Sequence, residues 1–189
     1  MRVLSRSGVI AAAALAAAFI PAAPLRADER AEADLARKVA ALVDADEKRL
    51  LDIFLDLHRH PELGFQEVRT AALVAQELKQ LGYETHTGIG KTGVVGILKN
   101  GPGPVIMFRS DMDALPVLEE TGLEYASRAT GAAANGSLVP VMHACGHDAH
   151  VTFLIGVAKV MVELKANWSG TLVLIAQPAE ELIEGARAM

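Results

Sequence analysis

Three clusters in the sequence hold residue types that do chemistry. Arg109-Ser110-Asp111-Met112-Asp113 offers two carboxylates two residues apart, and His143-Ala144-Cys145-Gly146-His147-Asp148 sets a thiol and an imidazole two residues apart across a glycine. Gln177-Pro178-Ala179-Glu180-Glu181 ends in adjacent carboxylates. Thiolate, imidazole and carboxylate are ligand types that hold zinc. Gly146 permits the tight backbone with which Cys145 and His147 can point at one ion. Adjacent glutamates can divide labour, one binding metal while the other takes a proton from metal-bound water. The combination implies hydrolytic chemistry.

Taken singly, each residue has an ordinary reading. Asp111 and Asp113 suit turns and caps, Cys145 suits a small buried apolar position, and His147 or His150 suits a satisfied helical histidine, while the two at i and i+3 could also bind metal without Cys145. Glu180 and Glu181 suit the solvated start of a helix. A different catalytic class is also open, with Cys145 as nucleophile and His147 or His143 as its base, although the intervening glycine suits shared coordination better than proton transfer.

The elements that must position these clusters follow from periodicity. Over residues 28–60, Leu35, Val39, Leu42 and Val43, then Leu50, Ile53, Phe54 and Leu57 recur at three- and four-residue steps, a helical pattern that Pro61 and Gly64 stop. A second amphipathic helix is expected over 67–81, ended by Gly82. Strands are expected over 83–87, 93–99 and 104–109, the last two joined by Asn100-Gly101-Pro102-Gly103 as an antiparallel hairpin. Residues 122–136 are small, polar and Gly-rich and read as a surface loop. A helix over 148–165, capped by Asp148, is apolar on most of its circumference, and TLVLIA at 171–176 reads as a strand buried on both faces. The fold class is therefore α/β, a layered mixed sheet flanked by helices. All three polar clusters fall at strand C-termini or at a helix entry, where open α/β sheets build their sites.

With 189 residues, 51% hydrophobic and 22% charged, the chain has the balance of a folded protein rather than a disordered or collagen-like one. A net charge of −5 and no run of Lys/Arg argue against a nucleic-acid partner. One Cys excludes an intramolecular disulfide. Residues 1–27 read as a secretory leader: Arg2 and Arg6 precede an apolar run over 9–20, and small residues and prolines follow, with cleavage expected after Ala27. The run is shorter than the roughly 20 residues that span a bilayer, so no stable membrane anchor is expected after cleavage. Loss of Arg2, Arg6 and Arg26 with no acid leaves a more acidic, exported chain, periplasmic or secreted.

At these residues the sequence resembles the M20 family of metallopeptidases, specifically the aminoacylase-like amidohydrolase branch that includes hippurate and auxin-conjugate hydrolases. The motifs are Leu57-His58-Arg59-His60-Pro61-Glu62-Leu63-Gly64-Phe65, Thr92-Gly93-Val94-Val95-Gly96, Arg109-Ser110-Asp111-Met112-Asp113-Ala114-Leu115-Pro116, Met142-His143-Ala144-Cys145-Gly146-His147-Asp148 and Gln177-Pro178-Ala179-Glu180-Glu181, in family order. The resemblance implies a zinc-exopeptidase-like catalytic domain with two divalent ions, zinc or manganese, with cobalt or nickel also compatible. It implies Cys145, His147 and Glu181 as metal ligands, Glu180 as general base, and Asp113 as the aspartate supporting a metal ligand. Asp111 stands where other branches have a ligand histidine and is left out of the metal set. The implied reaction is hydrolysis of an N-acyl amino acid or related small conjugate.

Family members are about twice as long or more, so the resemblance further implies that residues 28–189 are the N-terminal part of a catalytic domain. Two more ligand histidines, a lid domain for substrate capture and dimerisation, and further strands would lie elsewhere; a homodimer is expected only of the longer protein. The rival expectation is an inactive partial chain with too few ligands for two ions. The leader is directly testable: N-terminal sequencing of the exported species should begin near Asp28, and a species still beginning at Met1 would reject cleavage.

Overall fold

The computed structural model describes residues 27–189; the expected leader lies outside the described residues except for Ala27, where the first helix begins. Helix α1 runs Ala27–Arg59, and α2 runs Val68–Gln80. Strands β1 (Glu84–Ile89), β2 (Gly93–Asn100) and β3 (Val105–Asp111) follow. Next come a small ribbon, β4 (Thr130–Ala132) with β5 (Leu138–Pro140), helix α3 (His147–Glu163), strand β6 (Gly170–Gln177) and the single turn α4 (Gly185–Ala188). The ribbon modifies the expected loop, whose second half pairs Thr130 with Pro140 and Ala132 with Leu138. No helix among the described residues is long and apolar enough to cross a membrane.

The sheet order is β1-β2-β6-β3, a mixed α/β architecture as expected. The expected hairpin is overturned. β2 and β3 do not form a hairpin, because β6 lies between them, antiparallel to β2 and parallel to β3. TLVLIA takes the position with a partner on each edge, and β3 is stitched to its start by Thr171 N–H donating to Pro104 O at 2.9 Å. Gly170 allows that approach, since a Cβ there would stand 2.3 Å from the Pro104 oxygen. The true hairpin is β1–β2.

The strand pleat selects the core. Val94 and Leu98 of β2 and Leu172, Leu174 and Ala176 of β6 project toward the helices, where Leu57, Val74, Leu78, Val151, Leu154 and Ile155 complete one apolar cluster. Gly96 on the same face lies under Leu78, where a Cβ would come within 2.8 Å of the leucine methyl. The alternate residues of β6, Thr171, Val173 and Ile175, are only half-buried, so the strand is covered on one face rather than both, the core cluster lying on one side of the sheet. On the outer edge, Val105, Ile106 and Met107 of β3 are exposed.

One carboxylate ties the three long helices together. Asp46 of α1, buried, accepts from Arg49 at 2.7 Å and 2.9 Å and from Lys159 of α3 at 2.7 Å, and Arg49 reaches Glu77 of α2 at 2.6 Å. The Arg49 hydrogen bonds hold Asp46 below the usual carboxylate range against the upward push of burial, with Lys159 adding to them. A lowered carboxyl pKa contributes stability that is complete above the unfolded value and is lost as pH falls through the folded one. Asp46→Asn should therefore lower unfolding free energy by about 1–3 kcal/mol at pH 7. In urea denaturation the gap between variant and parent should shrink at pH 3.

Candidate metal centre

Because β3 and β6 run parallel, their C-terminal ends emerge side by side, with Asp111 in register with Gln177 and Met112 N–H donating to Gln177 O at 3.0 Å. The segments that leave these ends carry the first and third polar clusters. Asp113, with no exposed surface, accepts the backbone N–H of Glu180 on Oδ1 at 3.0 Å and of Glu181 on Oδ2 at 2.9 Å. The glutamate pair thus sits on a turn whose amides are captured by an aspartate sixty-odd residues earlier.

The second cluster arrives at the N-terminus of α3. Gly146 occupies the position before the helix with φ 77°, the left-handed region that favours glycine, and no side chain caps the helix there. Asp148 is thus not the cap the sequence suggests: it lies inside the first turn, and its Oδ2 pairs with His58 Nδ1 at 2.6 Å. His147 Nδ1 bonds the Asp113 carbonyl oxygen at 2.7 Å and lies 3.5 Å from its Oδ1. That bond orients the ring and leaves Nε2 facing the Glu180 carboxylate at 3.8 Å.

Ligand atoms of Cys145, His147 and Glu181 lie within 4.8 Å of one another, so the structure brings together the three residues named as ligands from sequence. Asp111, His147 and His150 form a second group within the same span. With Nδ1 engaged, His147 has one nitrogen to offer, and the two groups compete for it. Two observations fit a cation here. Glu181 Oε1 is buried without a hydrogen-bond partner, and so is Asp111 Oδ1, which meets Arg109 only as a 3.4 Å ion pair. The donor set of thiol, imidazole and carboxylate suits a divalent transition ion.

The electrostatics agree. Interaction with Glu181 first, then burial and the charges of Glu181, Glu180 and Asp111, push the Cys145 thiol up. Burial pulls His147 down, but Asp113 and then Asp111 outweigh it and raise the imidazole to about 9. Carboxylates crowd both groups and keep their protons on, and a divalent cation is what displaces those protons. The same fields weaken the cysteine-nucleophile reading: a thiol held protonated beside a protonated imidazole has no base. His143, the other base considered, is buried with both ring nitrogens unpartnered, and burial lowers it to about 4, so it stays neutral. Glu180 is 40% exposed at the rim. Burial raises Asp113, yet the His147 bond and the amides of Glu181 and Glu180 more than compensate and hold it ionised.

Comparison with known proteins decides the relationship. The model of peptidase family M20/M25/M40 matches residues 107–189, the stretch that carries all three clusters. Hippurate hydrolase of Campylobacter jejuni is 51% identical over 134 residues, covering 70% of this chain and 32% of the relative. IAA-amino acid hydrolase ILR1-like 2 of Arabidopsis thaliana is 42% identical over 133 residues, covering 70% and 28%. Over the residues that form the site, the chain is thus similar to the M20 family. The crystal structure of the YXEP protein of Bacillus subtilis, described as a dinuclear metal binding peptidase of that family, superimposes with a TM-score of 0.68 at 40% identity, covering 77% of this chain and 38% of that one. The chain spans about a third of the length of these relatives.

Sequence reading passed over Asp111 and His150 as a group and missed Glu67, whose carboxylate accepts Ala179 N–H at 2.8 Å. An acid at the start of a helix carries an ordinary local explanation; its long-range bond leaves no sequence signal. The support under the glutamate pair is measurable. Asp113→Asn sets an amide NH2 against an N–H donor of the turn, and should weaken zinc binding about 10–100-fold in competition with a chromophoric chelator.

Proposed function

We propose that the protein carrying this chain is a metal-dependent amidohydrolase that cleaves the amide bond of N-acyl amino acids or related small conjugates. The observation that carries the reading is the meeting of Cys145, His147 and Glu181, with the Glu180 carboxylate beside them and both glutamate amides held by Asp113. The relatives' names support the substrate class: hippurate is itself an N-acyl amino acid, and the plant relatives are named for IAA-amino acids. The leader-like residues 1–27 support export of this protein.

Cys145 Sγ, His147 Nε2 and a Glu181 oxygen are the groups that would hold an ion, and ligands for a second are assigned to the longer protein. Zinc or manganese, with cobalt or nickel also compatible, would supply Lewis acidity and a lowered water pKa. This chain's residues do the rest. Asp113 fixes the His147 ring through its carbonyl and fixes the glutamate turn through its carboxylate. Glu181 faces the thiol and imidazole, leaving Glu180 free at the rim. There Glu180 takes a proton from the attacking water as its oxygen bonds the amide carbon. The same carboxyl returns that proton to the nitrogen as the C–N bond breaks, so the products are a carboxylic acid and a free amine.

The division of labour between the two glutamates is the testable core. In the longest natural protein that carries these residues, Glu180→Gln should lower turnover of hippurate by about a hundredfold or more while metal content, read by elemental analysis, is retained. Glu181→Gln should lose metal. The opposite pair of results would exchange the two roles.

A further inference from the structure

We infer that Glu67 is a positioning residue for the glutamate turn: its buried carboxylate fixes the left-handed backbone at Ala179 from which Glu180 and Glu181 project. The inference rests on the roles proposed above for those two glutamates.

Glu67 has no exposed surface. Its Oε1 accepts the Ala179 N–H at 2.8 Å and its Oε2 accepts the Thr92 hydroxyl at 2.6 Å. A carboxylate at the start of a helix ordinarily serves the helix, but this one does not. Glu67 stands at the N-cap of α2 and makes no side-chain cap. Glu62 does that work from outside the helix, its Oε1 accepting Arg69 N–H at 2.9 Å and its Oε2 accepting Thr70 N–H at 2.8 Å. With the cap supplied by another residue, the burial of Glu67 is accounted for by its distant partners, Ala179 and Thr92.

Ala179 needs such a partner. It is buried, and its φ of 47° lies in the left-handed region that a residue with a Cβ seldom enters. The chain then folds back on itself: Gly185 N–H donates to Ala179 O at 3.1 Å, and a Cβ on Gly185 would stand 1.6 Å from the Pro178 oxygen. Glu67 and Asp113 together take three consecutive amides, those of Ala179, Glu180 and Glu181. Removing the first leaves a buried N–H unpaired at a left-handed residue of the turn, and the turn's least costly response is to rotate that peptide. Such a rotation moves the Glu180 carboxylate, and a displacement near 1 Å at a reacting group costs on the order of a hundredfold in rate.

The test uses the longest natural protein that carries these residues. Glu67→Gln retains an oxygen for Ala179 and should keep kcat within about threefold. Glu67→Met, similar in volume but without an acceptor, should lower kcat about 10- to 100-fold with KM and metal content unchanged. In metal-free protein the same variant should speed hydrogen exchange at the Ala179 amide at least about tenfold. A Glu67→Met variant with parental kcat and exchange would overturn the inference, and so would Glu67→Gln falling as far as Glu67→Met. Should Glu67→Met not fold, Thr92→Val, which removes the hydroxyl that orients the carboxylate, must give the faster Ala179 exchange, and unchanged exchange would overturn the inference. Glu180→Gln measured alongside separates the two readings: full turnover there would remove Glu180 as base, while exchange at Ala179 would still judge Glu67.

Discussion

The site depends on one parallel strand pairing. Only because β6 runs beside β3 in the same direction do the residues after Asp111 and after Gln177 leave the sheet at one edge. The reach from Asp113 to the amides of Glu180 and Glu181 follows from that pairing, as does the Met112–Gln177 backbone bond that extends it by one residue. The antiparallel hairpin that local sequence suggests would have sent β3 away from β6, and the clusters would have met nothing. The hydrophobic demand of Leu172, Leu174 and Ala176 for a position inside the sheet thus has a chemical consequence, since it draws the acidic turn up against the histidine of α3.

Much of this is legible in sequence, and the boundary of legibility has a physical cause. The long helices follow from three- and four-residue apolar steps, and the sheet class follows from alternating helices and strands, because these signals are local. The meeting of Cys145, His147 and Glu181 is legible because Cys145 and His147 are two residues apart and Glu181 belongs to a motif read by resemblance. What is not legible is pairing between distant segments. Nothing near Gly101 or Gly103 announces that a strand sixty-odd residues later will insert between β2 and β3. Asp148 looks like a helix cap because capping is its commonest local use, whereas its carboxylate is spent on His58 from another helix. Glu67 is hidden by the same ambiguity.

His58 shows how far the supporting network extends. Its Nδ1 lies 2.6 Å from Asp148 Oδ2 and its Nε2 3.2 Å from Glu119 Oε1, so the end of α1, the start of α3 and the loop after β3 meet on one ring. Burial lowers its pKa, but the bonds to Asp148 and then Glu119 outweigh it and hold the imidazole above its ordinary value. A ring bonded to two carboxylates fixes the first turn of α3 from behind. His147, one residue before Asp148, is then oriented from both sides, by Asp113 on its own ring and by His58 through its neighbour.

These supports share a design that bears on the proposed cation site. Asp113 and Glu67 are carboxylates without exposed surface, and neither is paired with lysine or arginine: His147 and the amides of Glu181 and Glu180 hold Asp113 down against burial, while burial pushes Glu67 up against the Thr92 hydroxyl and the Ala179 amide. Amide dipoles stabilise a buried negative charge without cancelling it. Cys145, Glu180, Glu181 and Asp111 therefore face a surrounding with a standing excess of negative charge, and protons on the thiol and on His147 are what offset it in the absence of metal. A lysine paired with Asp113 would satisfy the aspartate equally well and would remove the field that draws a divalent ion between Cys145, His147 and Glu181. Neutralising the scaffold with dipoles rather than charges keeps the turn rigid and leaves the positive charge to be supplied by the proposed ion.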